Sequence, residues 1–262
     1  MAFTLATWNI NSVRLREALV ARLLADTAPD ILCLQECKSP VEKIPTEGFA
    51  ALGYPHMVAR GQKGYNGVAI LSKLPLEDMG DIDFAGLGHA RHVAARLENG
   101  VVIHNCYVPA GGDVPDRAVN DKFGQKLDYM AHLRDHFRDS RPARTILVGD
   151  LNIAPREDDV WNHRQLLKIV SHTPIEVAHF GDAMEAGGWV DVTRADIPEG
   201  LLYSWWSYRS PDWDAADKGR RLDHVWASSD IAAAAHSSRI LREVRGWEQP
   251  SDHAPVFASF DL

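Results

Sequence analysis

Short apolar runs recur along this chain and set its architecture. Phe3–Thr7, Ile31–Leu34, Val68–Leu71, Val93–Leu97, Val101–Tyr107, Thr145–Val148, Leu222–Trp226 and Val256–Phe260 each read as a buried strand. Asn99-Gly100 between two of these runs predicts a tight hairpin, so part of the sheet is antiparallel. Helical spacing covers Ser12–Thr27, with Ser12 as N-cap and Leu15, Leu19 and Leu23 four residues apart. Two further helices are expected at about Asp116–Phe137 and Thr173–Ala186. No repeat, low-complexity block or Pro/Gly/Ser linker interrupts the pattern, so residues 1–262 are expected to form a single domain. Strands interleaved with a few helices predict a layered α/β protein.

The places where the apolar runs stop carry the chemistry. The first run ends in Trp8-Asn9-Ile10-Asn11, the second in Gln35-Glu36, and the run from Val101 in Tyr107-Val108-Pro109. Thr145–Val148 ends in Gly149-Asp150-Leu151-Asn152, Leu222 is followed by Asp223-His224, and Ser251-Asp252-His253 precedes the last run. Each polar residue has an ordinary alternative: a surface glutamate, an Asx-turn at Asp150-Asn152, a helix-capping Asn11, a half-buried strand tyrosine. Six such placements by coincidence are a poor account of the pattern, and converging strand ends are where α/β enzymes place their functional groups.

Charge sharpens the picture. The formal net charge is −8, from 28 Lys+Arg and 36 Asp+Glu. That argues against non-specific nucleic-acid coating while leaving room for a local basic face. Were Glu36, Asp150, Asp223 and Asp252 to share a cleft, two carboxylates about 6 Å apart would repel by roughly 3 kcal/mol at an effective dielectric of 20. A cation is then required. Carboxylate and amide oxygens select a hard divalent ion, Mg²⁺ or Mn²⁺, over Zn²⁺. Asp223 and His253 read as a carboxylate–imidazole pair, whose imidazolium would suit a developing phosphorane. Three cysteines, Cys33, Cys37 and Cys106, are too few and too irregular for a disulfide framework, and are expected to be buried thiols. No apolar run is long enough for a membrane span and the N-terminus has no leader pattern, so cytoplasm is the default expectation.

At these residues the sequence resembles the exonuclease III family of DNA-repair nucleases, within the endonuclease/exonuclease/phosphatase superfamily. The resemblance runs from Thr7 to Phe257. Its segments are Trp8–Arg14, Leu34–Lys38, Gly64–Ser72, Tyr107–Pro109, Gly149–Pro155, Trp205–Arg209, Arg221–Asp223 and Ser251–Val256, in that order. It implies a four-layered sandwich, two mixed β-sheets face to face with helices outside. It implies Glu36 as principal metal ligand, assisted by Asn9 or Asn11 and by Asp252. Asp150 would orient and deprotonate the attacking water, Asn152 hold that water or a phosphate oxygen, Tyr107 bond the phosphate or leaving oxygen, and His253 with Asp223 bind a non-bridging oxygen. Arg14, Lys63, Gly64, Tyr65 and Arg209 match DNA-contacting positions, and Trp205 and Leu222 match the pocket for an extruded abasic sugar. Trp206 reads as core. Lys122, Lys126, Arg209, Lys218, Arg220 and Arg221 are candidates for a basic rim.

The implied activity is Mg²⁺-dependent phosphodiester hydrolysis, with Mn²⁺ as substitute, on double-stranded DNA. It comprises 3′→5′ exonuclease action, incision at abasic sites and removal of 3′-blocking phosphates, by a monomer. Two alternatives stay open: a superfamily hydrolase acting on RNA or phosphoinositides, and a non-catalytic nucleic-acid-associated regulator. The chain departs from its relatives at Arg220, where they carry an apolar pocket wall, at Asp113, and at His224.

Overall fold

The computed structural model describes residues 1–262. Fourteen strands run along the chain. They are β1 (Ala2–Asn9), β2 (Ile31–Gln35), β3 (His56–Arg60), β4 (Val68–Ser72), β5 (Leu76–Asp78), β6 (His92–Leu97) and β7 (Val102–Tyr107). They continue with β8 (Thr145–Asp150), β9 (Trp189–Asp191), β10 (Trp205–Trp206), β11 (Gly219–Arg220), β12 (Asp223–Ser228), β13 (Ala235–Ile240) and β14 (Val256–Asp261). One sheet has the order β13-β14-β1-β2-β4-β3 and the other β5-β6-β7-β8-β12-β9, while β10 and β11 form a separate hairpin. Each large sheet contains one parallel pair, β1 with β2 and β7 with β8, among antiparallel neighbours. Both sheets are therefore mixed, as expected.

The apolar runs are continuous because the central strands are covered on both faces. In β1, Phe3 and Leu5 face the core between the sheets, while Ala6 and Trp8 face the outer helix. In β8, Ile146 and Val148 point between the sheets and Leu147 points outward. The outer layers are the helix Glu17–Thr27 on the first sheet, and the helices Asp121–Ser140 and Pro174–Gly187 on the second. This is the four-layered sandwich. The cysteines are buried and unpaired, and burial pushes the Cys37 and Cys106 thiols up to about 12.

Two helix starts differ from the sequence expectation. Ser12 does not cap a helix: its backbone has φ 88°, and its N–H donates to Glu36 O at 2.7 Å. The next residues form a turn, and the helix begins at Glu17, leaving Leu15 exposed. The second helix begins at Asp121, because the Asn120 side chain accepts from the Lys122 N–H and ends the preceding turn. Thr173 does cap the third, in a reciprocal capping box with Glu176 and with Pro174 at the first helical position.

The chain direction of the paired strands gathers the site. β1 and β2 run parallel and end together at Asn9 and Gln35. β7 and β8 end together at Tyr107 and Asp150. β12 runs the opposite way, so its first residue, Asp223, lies opposite Asp150. β14 runs antiparallel to β1, and Val256 opposite Thr7 places the preceding His253 at the same edge. Beneath it a buried polar tie joins the sheets: Gln35 Nε2 donates to Asn105 Oδ1 at 2.7 Å and to Thr7 Oγ1 at 2.9 Å. Asn105 Nδ2 donates in turn to the carbonyls of Leu34 and Ala69.

Candidate active site

Glu36, Asp150, Asn152, Trp205, Leu222, Asp252 and His253 line one cleft of about 1040 Å³. Three of the strand-end residues hold left-handed backbone: Asn11 at φ 49°, Glu36 at 50° and Asn152 at 53°. Asparagine tolerates this region, whereas for glutamate it costs of order 1–2 kcal/mol. The flanking Cys37 N–H donates to Gly67 O at 3.0 Å and helps to fix the turn. The result aims the Glu36 carboxylate into the cleft, where Oε1 accepts from Tyr107 Oη and Oε2 pairs with Lys38 Nζ at 2.8 Å. Lys38 also donates to Asn11 Oδ1 at 2.6 Å, and Asn11 Nδ2 donates to Asp252 Oδ1 at 3.2 Å. Trp205 Nε1 holds the other Asp252 oxygen at 2.9 Å. Glu36, Asn11 and Asp252 are thus joined in one line through the Lys38 ammonium and the Asn11 amide.

Asp150 forms the second group. Its Oδ2 accepts from Asn9 Nδ2 at 2.9 Å and Asn152 Nδ2 at 3.1 Å, and its Oδ1 from the Asn152 N–H at 2.9 Å. Asn9 therefore turns its amide toward Asp150, and its Oδ1 accepts the Asn11 N–H at 3.0 Å. His253 Nε2 lies 3.7 Å from Asp150 Oδ2, while Nδ1 is 2.8 Å from Asp223 Oδ2. Burial pushes the Asp150 carboxyl up, with Asp223 and Glu36 adding to the shift against the pull of His253. Burial alone would push His253 down, but the Asp223 and Asp150 carboxylates outweigh it and hold the ring as imidazolium. Tyr107 is driven up by burial and by the Glu36 and Asp150 charges, so it stays a phenol able to donate.

Metal-ligating atoms of Asp150, Asp223 and His253 lie within 4.8 Å of one another. These buried acidic and imidazole groups could hold a metal ion. Asp223 Oδ2 and His253 Nδ1 already bond each other. The Glu36 and Asn11 oxygens instead share the Lys38 ammonium, a cation standing where carboxylate and amide oxygens converge. Oxygen-only donors fit a hard divalent ion.

Some residues escaped the sequence reading. Ser204 Oγ donates to Asp223 Oδ2 at 2.7 Å and accepts the N–H groups of Leu222 and Asp223, each at 3.0 Å, so it fixes the carboxylate that orients His253. Lys38 was visible only as part of a motif. Lys126 and Arg221, expected on a basic rim, are instead wholly buried. Lys126 pairs with Glu176, and Arg221 with Asp159 at 2.8 Å and Asp191 at 2.7 Å. His224 does not crowd the cleft: it points to the opposite face, bonds Ile153 O at 2.8 Å, and is pushed down to about 4 by burial and by Arg221. Trp206 packs in the core against Tyr203 and Trp213. Arg14, Lys63, Gly64, Tyr65 and Arg209 are exposed, Tyr65 by 71%.

Comparison with known proteins places this geometry. The model of the endonuclease/exonuclease/phosphatase family matches residues 6–253. The chain is 29% identical to exodeoxyribonuclease III of Haemophilus influenzae, over 97% of this chain and 98% of that protein. A structure of the 3′ phosphatase NExo from Neisseria bound to a product DNA hairpin superposes with a TM-score of 0.91 at 35% identity, covering 99% of this chain and 100% of that one. An AP endonuclease from Archaeoglobus fulgidus gives a TM-score of 0.92 at 31% identity, again over 99% and 100%.

Proposed function

The chain belongs to the endonuclease/exonuclease/phosphatase family and is a DNA-repair nuclease, and from that premise we propose that it is a Mg²⁺-dependent phosphodiesterase acting on duplex DNA at 3′ ends and abasic sites. The observation that carries the reading is the meeting of Glu36–Tyr107, Asn9–Asp150–Asn152 and Asp223–His253 at one cleft edge. Glu36 and Asp252, with Asn11 and Asn9 beside them, would hold the ion. When bound, it supplies charge stabilisation to a phosphoryl oxygen.

The side chains divide the remaining work. Asp150 is held by three hydrogen bonds and is raised toward neutrality by burial, which suits a group that orients water and takes its proton. Asn152 fixes Asp150, its Nδ2 donating to Asp150 Oδ2 and Val108 O, and its Oδ1 is left to accept from the attacking water. The His253 imidazolium, set by Asp223 and Ser204, donates from Nε2 to a non-bridging oxygen as charge grows there. Tyr107 donates to phosphate or leaving oxygen. In-line attack breaks the bond between phosphorus and O3′, and a 3′-hydroxyl remains.

Arg14, Lys63, Gly64, Tyr65 and Arg209 supply the DNA-facing rim, and affinity falls with salt as their phosphate contacts release counterions. We take residues 1–262 as one catalytic domain, which the core cluster shared by the two sheets supports. No helix is long and apolar enough to cross a membrane. We assign the protein to the cytoplasm and to a monomeric state.

The test is a duplex with one abasic site and a labelled strand. Cleavage is expected with Mg²⁺, is lost with EDTA, and drops roughly a hundredfold or more in Glu36→Ala. Absence of cleavage with Mg²⁺, or cleavage that survives both treatments, overturns the assignment.

A further inference from the structure

Arg220 lines the same cleft as Glu36, Asp150 and His253. On the β10–β11 hairpin, Trp205 pairs with Arg220 on one side and bridges to His253 on the other. Two strand spacings put the backbones of Arg220 and His253 roughly 10 Å apart. The Arg220 guanidinium lies over the Trp205 ring, 5.2 Å from its centroid. Nη1 donates to Val170 O at 2.9 Å and Ser171 Oγ at 2.8 Å. Those two bonds anchor one corner of the group. Nε is shielded from water without a partner, and Nη2 makes no hydrogen bond within the protein.

The charge is equally unmatched. The carboxylate that acts on it, Glu176, is already engaged by Lys126. The next residue shows what a structural arginine looks like here: Arg221 has Nε, Nη1 and Nη2 all bonded to Asp159 or Asp191. A guanidinium keeps its charge in any protein setting, and each free N–H on it is a charge-assisted donor to an oxyanion. In Arg220 the free donor is Nη2, while Nε is shut away from any ligand.

We infer that Arg220 is a specificity-determining residue that gives the cleft an oxyanion seat for DNA 3′ termini bearing a phosphate or a carboxylate-carrying block, at the expense of a neutral abasic sugar. This rests on the DNA-nuclease reading above. A terminal phosphomonoester carries about −1.5 to −2 charge near neutral pH, against −1 for a diester, so it gains more from the free cation. An abasic sugar has no charge to offer, and the Trp205 face it would use is covered by the guanidinium. In the reaction, a water oxygen bonds to phosphorus and the bond from phosphorus to O3′ breaks. The water proton passes to Asp150, which returns it to solvent, and O3′ leaves with a proton taken from solvent water. The products are a 3′-hydroxyl strand and inorganic phosphate, or phosphoglycolate where the block is a glycolate ester.

The experiment compares the full-length protein with Arg220→Met and Arg220→Lys on four duplexes with Mg²⁺. Their ends or sites are a 3′-phosphate, a 3′-phosphoglycolate, a 3′-hydroxyl and an internal tetrahydrofuran abasic analogue. In Arg220→Met, kcat/KM on a blocked end falls roughly tenfold or more relative to 3′-hydroxyl removal, the scale of one charge-assisted hydrogen bond, and the loss sits mainly in KM. Abasic incision stays level or rises, and Arg220→Lys falls between, keeping the charge but losing the Val170 and Ser171 anchor that fixes the guanidinium. Which blocked end responds identifies the oxyanion as phosphate or carboxylate. Equal loss on all four duplexes, or no loss on either blocked end, overturns the inference. Should Arg220→Met not fold, the wild-type ratio decides: blocked ends turned over no faster than the abasic site overturn it. Wild-type protein inert on every duplex would sink the nuclease reading itself, and this inference with it.

Discussion

Replacing Lys126 with methionine tests how the nucleophile side of the cleft is supported. Lys126 and Glu176 are fully buried and form an ion pair between two outer helices. Lys126 Nζ also donates to Asn152 O at 2.7 Å, so the pair holds the backbone of a site residue in left-handed conformation. Glu176 accepts from Ser171 N at 2.9 Å, Thr173 N at 3.1 Å and Thr173 Oγ1 at 2.6 Å. Methionine fills the volume but leaves the carboxylate buried without its ion-pair partner; Arg220 still acts on it but bonds Ser171 Oγ rather than the carboxylate. Removing one partner of a buried pair costs about 3–5 kcal/mol, because the remaining charge is uncompensated. At about 2–4 °C per kcal/mol for a chain near this size, the melting temperature falls by roughly 10 °C.

The sign of the pH effect follows. An unpartnered buried carboxyl has a folded pKa above its unfolded value of about 4.3, so the folded variant takes up a proton as pH falls. The deficit against wild type should therefore be largest at pH 8 and shrink towards pH 5. Adding Glu176→Gln removes the charge and should recover most of the loss, less what the weaker acceptor gives up at Ser171 and Thr173. Urea melts of wild type, both single variants and the double variant at pH 5.5 and 8 form the cycle. A loss below about 1 kcal/mol in Lys126→Met, or a double variant no more stable than that single one, would refute the reasoning.

Two further predictions concern the scaffold. Gly149 has φ +137°, and a Cβ there would lie 1.9 Å from Cys106 O in the paired strand; Gly149→Ala should cost more than about 4 kcal/mol or yield no folded protein, read by circular dichroism, and a stable variant would show that β7 and β8 can part. His92 Nε2 and His104 Nδ1 lie 2.9 Å apart, with His92 Nδ1 accepting from the Ile82 N–H. Burial first and the neighbouring imidazoles second push both down, His104 to about 3. The unfolded chain therefore binds more protons below pH about 6.5: the neutral pair is fully stabilising above that pH, and stability is lost as pH falls, by about 1.4 kcal/mol per unit for each ring. His104→Leu should reduce the acid slope of urea-melt stability between pH 6 and 4 by about that amount, and an unchanged slope would contradict a buried neutral pair.

The sequence is legible where burial alone dictates the residue, and not where a distant partner does. Asn9, Asp150, Asp223 and His253 stood out because each sits at the end of an apolar run, and polar groups repeated at strand ends need a reason. The strands themselves were legible where both faces are buried. β3, β5, β9 and β13 were not, because at the sheet margins their residues are partly exposed and their pattern resembles that of loops. Ser12 misled for a different reason: a long-range bond to Glu36 O outcompeted the local cap, and a one-dimensional pattern has no access to that partner. Lys126 and Arg221 show the limit most clearly. Their partners Glu176 and Asp159 lie 50 and 62 residues away, and a buried cation next to polar neighbours has the same letter as a solvated one. Only the fold decides which lysine or arginine is neutralised and which, like Arg220, lines the cleft with an unused donor.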